Sequence, residues 1–171
     1  SPWADDLQSD FNTLRNSMKA GLRGVSDSES VGYYKNLTDE KKEYQRKVRT
    51  VLRGIAVLMR SLPMLNPFRY GIFAWQLFSH KLCRWLVPFA MIFALVSNIV
   101  LAAQSALYRI LLVGHVLFYL TAAAYAGCSW MPKSNLFRLP SFFVLVNLSI
   151  LDAWMRYWRG DRVFRWEPSK R

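Results

Sequence analysis

The sequence predicts a mixed fold class: a soluble α/β segment, then an amphipathic interface helix, then an all-α transmembrane bundle of about three helices. Three observations carry this prediction. Residues 85–103, WLVPFAMIFALVSNIVLAA, run nineteen positions without a charge, and about 20 apolar residues suffice to cross a hydrocarbon core. Residues 105–127 and 139–158 are also apolar, with few ionisable groups. Residues 1–62, in contrast, are polar and highly charged, and read as soluble.

Taken in order, Leu7, Phe11, Leu14 and Met18 are spaced as a helical stripe, with Asp5 and Asp6 where that helix begins and Gly21 as its stop. LRGV (22–25) and ESVGYY (29–34) read as two short strands around the turn Ser26-Asp27-Ser28. From Glu43 to Leu62 a two-faced helix is expected. Arg46, Arg49, Arg53 and Arg60 fall within about 60° of one another at 100° per residue. Tyr44, Val48, Leu52, Ile55, Met59 and Leu62 take the other side. Pro63 interrupts this helix, and Asn66-Pro67 starts the next. Residues 63–84 read as a helix lying in the membrane interface, with Arg69, Gln76 and His80 on one side and aromatics around them. The spans 85–103, 105–127 and 139–158 follow, and 159–171 form a basic tail.

Charge supports a membrane rather than a nucleic-acid partner. Residues 1–40 hold seven acids and four bases, 41–60 seven bases and one acid, and 156–171 six bases and two acids. The basic blocks flank apolar spans, where Lys and Arg meet anionic headgroups at about 1 kcal/mol each. Trp85, Tyr108, Trp130, Trp154, Tyr157 and Trp158 fit an interfacial aromatic belt. Topology is in tension. A cytosolic start and three spans put the C-terminus outside, whereas the tail's basic residues favour the cytosol.

Four groups within the spans are ionisable or strongly polar. Arg109 and Asp152 lie close enough to span ends to snorkel. His115 and Asn147 lie nearer the middle, as interhelical hydrogen-bonding residues or the lining of a polar channel. Cys83 and Cys128 have neither CxxC spacing nor a nearby His pair, so no metal or redox site is read from them. Asp5-Asp6 is either a helix cap or a general base, and the arginine flank either meets headgroups or binds anions such as pyrophosphate.

The order of these parts resembles the C-terminal half of the processive, membrane-embedded family-2 glycosyltransferases, the cellulose, hyaluronan and poly-N-acetylglucosamine synthases. ADDLQSDFNTLRNSMKAGLRGV looks like the family's acceptor-side acidic motif and following helix. That match implies Asp6 as catalytic base and Asp5 as its acidic neighbour. EYQRKVR (43–49) is similar to the Gln-x-x-Arg-Trp motif, with Glu43 at the Gln, Arg46 at the Arg and Lys47 at the Trp. Lys47 there removes a sugar-stacking ring. LNPFRYGIFAWQLFSHKLCRWLVPF and WRGDRVFRWEPSKR resemble the interface helix and tail. The resemblance implies a GT-A-like α/β catalytic part in residues 1–62, with Glu43, Arg46, Lys47 and Arg49 at the donor and acceptor. It also implies a nucleotide-sugar donor, a polysaccharide or lipid-linked acceptor, and a multi-pass bacterial plasma (inner) membrane protein with its catalytic part cytosolic. A divalent metal, Mg or Mn, belongs mainly to a donor-binding N-terminal half. No Asp-x-Asp occurs in residues 1–171, so these residues alone are expected to be catalytically incomplete. A non-catalytic membrane subunit whose basic helix docks a partner is the alternative.

Overall fold

The computed structural model describes residues 10–22, 24–25, 27–33, 40–128, 131–132 and 134–161. Helix α1 (Asp10–Lys19) is followed by α2 (Glu40–Met59), a 3-10 turn (Leu62–Leu65) and the short α3 (Pro67–Tyr70). Next come α4 (Ile72–Leu77), a π-helical turn (Phe78–Cys83) and α5 (Arg84–Ala102), which run on as one helix. Helices α6 (Ala106–Gly127) and α7 (Asn135–Trp158) complete the chain.

The expected α/β class is corrected. No strand forms among the described residues, so no GT-A-like sheet is present there. Of the two predicted strands, Val25, Val31 and Tyr33 are 88%, 66% and 95% exposed. Asp27 instead closes a local turn, accepting from the Glu29 amide at 3.0 Å and the Ser30 hydroxyl at 2.8 Å. These amide and hydroxyl bonds hold the Asp27 carboxyl below its ordinary pKa. A two-stranded hairpin without a covering layer is marginal in water, and nothing here covers one.

Several local signals act as read. Gly21 takes φ +76° after α1, where a residue without Cβ avoids strain. Asn66 caps α3, its Oδ1 accepting from the Phe68 amide at 2.9 Å. Ser105, which the sequence analysis did not single out, caps α6 by accepting from the Leu107 amide at 3.3 Å.

The core sits where α2 meets the start of α5 and the C-terminal part of α7. Val48, Leu52, Ile55, Leu58, Met64, Leu77, Trp85, Ile150, Ala153 and Trp154 form it. Burying such side chains contributes about 1.5–3 kcal/mol each, so α2 is fixed by its apolar face. Trp85 and Trp154, expected in an aromatic belt, are each only 6% exposed. The Trp154 indole N–H donates to the Trp85 carbonyl at 3.0 Å. Three helical stretches, Ile72–Ala102, Ala106–Gly127 and Asn135–Trp158, are long and apolar enough to cross a membrane. Their exposed Leu, Ile, Val and Phe side chains suit a lipid environment.

Candidate functional site

The polar flank of α2 is the richest concentration of charge with a defined geometry. Glu43 sits one turn from Arg46 and Lys47, at 3.8 Å from Arg46 Nη2 and 3.4 Å from Lys47 Nζ. Lys47 Nζ also lies 4.7 Å from the centroid of the Phe142 ring on α7, within cation–π range. Arg46 is exposed and Arg49 half-buried. Arg49 is close enough to Arg53 that, after burial, it helps depress the Arg53 pKa. The flank does not continue to Arg60. Val57, on the same side one turn after Arg53, is fully buried, and Arg60 itself is exposed. Glu43, Arg46 and Lys47 are therefore brought together, whereas Arg49 stands apart from them beside Arg53. Asp5 and Asp6 lie outside the described residues.

On the side where Lys47 meets Phe142, α2 makes a further polar contact with α7 that the sequence reading missed. Asp152 accepts from Arg156 Nε at 2.9 Å and Nη2 at 3.2 Å. The Tyr44 hydroxyl lies 3.5 Å from both Asp152 Oδ2 and the Leu148 carbonyl. Burial first, and then the Asp152 carboxylate, raise the Tyr44 pKa above its ordinary value near 10. The Asp152-to-Arg156 spacing of four was a legible signal for a helix-surface pair. The role of Tyr44 was not, since 108 residues separate it from Asp152.

His115 and Asn147, read as a possible channel, do not meet. Asn147 donates to the Phe143 carbonyl of its own helix at 2.9 Å. His115 Nδ1 is 2.9 Å from the Asn98 side chain and its ring stacks on Tyr119. Oriented to satisfy every neighbour, the Asn98 amide donates to the Tyr108 carbonyl at 3.0 Å. It then accepts from the Leu112 amide at 3.1 Å and from His115 Nδ1 at 2.9 Å. This pairing puts the His115 proton on Nδ1. Asn98, 5% exposed, thus bridges two backbone groups one helical turn apart on α6. The pair is a hydrogen bond between α5 and α6. An open groove of about 380 Å³ runs along α6 past Arg109, Leu112, Val113, Val116 and Leu117, apolar apart from Arg109.

Among the described residues no three His, Cys, Asp or Glu side chains converge. Cys83 and Cys128 are free thiols. Compared with protein-family models, curated proteins and solved structures, the chain matches none.

Proposed function

We propose that this chain is the membrane-seated, acceptor-side part of an inverting glycosyltransferase. The enzyme moves a sugar from a nucleotide-sugar to a polysaccharide or lipid-linked acceptor at the cytosolic membrane face. The observation that carries this reading is the α2 flank. Arg46 and Arg49 stand on a helix whose other face is packed into the core with α7 and the start of α5, so positive charge is held on a fixed helix beside the apolar helices. A preorganised cation array suits a departing diphosphate better than mobile side chains do. The donor is bound by a nucleotide-binding part that these helices do not supply.

In this reading the acceptor oxygen attacks the anomeric carbon as the bond to the diphosphate breaks. Asp6 takes the acceptor proton, a contribution of about 10²–10⁴-fold. Arg46 and Arg49 offset the charge gathering on the leaving diphosphate. Glu43 limits the motion of Arg46 and Lys47 by pairing with both.

The test uses the full-length polypeptide in native membranes. Asp6→Asn is expected to retain less than roughly a tenth of wild-type transfer with donor binding unchanged. Arg46→Ala and Arg49→Ala should weaken nucleoside diphosphate binding at least about tenfold, since each charge-assisted bond is worth ~1.5–3 kcal/mol. Arg60→Ala should leave it unchanged. Equal, small effects at all three arginines would sink the proposal and favour a flank that meets lipid headgroups.

A further inference from the structure

The three apolar stretches need not all be crossings, and the packing of α7 decides its placement. Ala102 and Ala106 are separated by three residues, so α5 and α6 fold back as a hairpin, registered by the Asn98–His115 bond. At about 1.5 Å per residue, Trp85 lies roughly 25 Å from the hairpin turn and Gly127 roughly 32 Å. Both therefore stand at the far end, where Trp85 packs against α2. Trp154 is bonded to Trp85 there, and Phe89 packs its ring against Trp154 and Trp158 at 6.1 and 5.8 Å. The C-terminal third of α7 is thus at the foot of the hairpin.

Were α7 a crossing with its C-terminal end at the foot, Asn135 would sit near the hairpin turn. Residues 128–134 would then have to climb roughly the full height of α6, some 30 Å. The eight steps from Gly127 to Asn135, fully extended, reach at most about 29 Å. The described residues fall short of that reach, since the Met131 amide bonds the Cys128 carbonyl at 3.3 Å and the Ser134 amide bonds the Pro132 carbonyl at 2.8 Å. An irregular loop through hydrocarbon would also strand its backbone groups. The neighbour of α7 argues the same way. It packs along α2, with Lys47 over Phe142 and Tyr44 at Asp152, and charges on α2 do not belong at bilayer depth.

We infer that α7 is a face helix that docks obliquely into the leaflet on the α2 side, so that the chain crosses the bilayer twice and Arg156 and Arg159 end on the same side as α2. Its partner is that leaflet. The exposed Leu136, Leu139, Phe143 and Leu148 meet acyl chains, and the exposed Arg156 and Arg159 meet anionic headgroups. Phe143 against Phe118 at 6.1 Å shows how far α7 leans along α6. The inference stands whether or not the chain transfers sugar, because it uses packing alone.

Single-cysteine reporters in a Cys83→Ser, Cys128→Ser background test it, using a membrane-impermeant maleimide on intact cells and on inverted vesicles. Thr50→Cys on α2 and Gln104→Cys at the hairpin turn mark the two sides; both positions are exposed. Arg159→Cys and Asp161→Cys are expected to label with Thr50→Cys, in one orientation only. Labelling together with Gln104→Cys would establish three crossings and overturn the inference. Two reporter positions guard against loss of one variant to misfolding.

Discussion

Asn98 shows how a single polar residue registers two apolar helices. Its amide bridges the Tyr108 carbonyl and the Leu112 amide while holding His115, and little water reaches it at 5% exposure. In a bilayer such bonds are worth about 1–2 kcal/mol. Asn98→Leu is therefore expected to lower the resistance of the chain to unfolding in mixed detergent micelles by roughly that amount. Mutant and wild-type curves that coincide would remove Asn98 from this role. His115 was visible in the sequence as a residue to explain, because an ionisable group stands out in an apolar span. Its partner was not, since Asn98 lies within an uncharged run and the sequence does not say which face of one helix meets another. Asn147, singled out for the same reason, bonds only within its own turn, a contact that needs no second helix.

At the scale of elements, α2 shows both the reach and the limit of periodicity. Val48, Leu52 and Ile55 lie on the predicted apolar face and are buried. Val57 and Leu58 are fully buried too, although Val57 belongs to the arginine side. The C-terminal half of α2 is therefore enclosed on more than one side, which an amphipathic pattern does not anticipate. Gly54 marks the closest approach: a Cβ there would meet the Trp85 ring at 2.5 and 2.6 Å. Trp85 cannot swing aside freely, being buried and packed with Trp154. Gly54→Ala gains about 1 kcal/mol of helix propensity but overpacks the core, which typically costs 1–3 kcal/mol. A net loss of up to about 2 kcal/mol is expected, measured by thermal unfolding in detergent. A stabilised Gly54→Ala would mean that Trp85 yields.

The whole molecule is joined by the contact between α2 and α7, whose polar element is Tyr44 with Asp152 and the Leu148 carbonyl. Because burial and Asp152 raise the Tyr44 pKa, the folded chain holds the phenolic proton more tightly than the unfolded chain. Its contribution is complete below the unfolded value near 10 and is lost as pH rises through the raised folded value. Wild type should therefore lose stability above about pH 10 more steeply than Tyr44→Phe, in unfolding measured across the alkaline range. Superimposable pH profiles would show that Tyr44 does not couple the two helices.

The sequence by itself determined several helices and their stops, and which stretches are apolar enough for a membrane, but not that the expected interface helix runs unbroken from Ile72 into α5. These depend on residues within one or two turns: Gly21 after α1, Asn66 before α3 and the uncharged run from Trp85. Helical spacing also placed Arg46, Arg49 and Arg53 on one flank of α2, whereas Glu43 and Lys47 were singled out only by the resemblance. The sequence did not exclude strands at 22–25 and 29–34, because β-forming residues make a sheet only when a partner and a cover exist, and the described chain offers neither. The tertiary structure alone decided that Trp85 and Trp154 are core residues, that Tyr44 meets Asp152, and that His115 belongs to Asn98. Each joins residues on separate elements, and burial and hydrogen bonding between them exist only once the helices have packed.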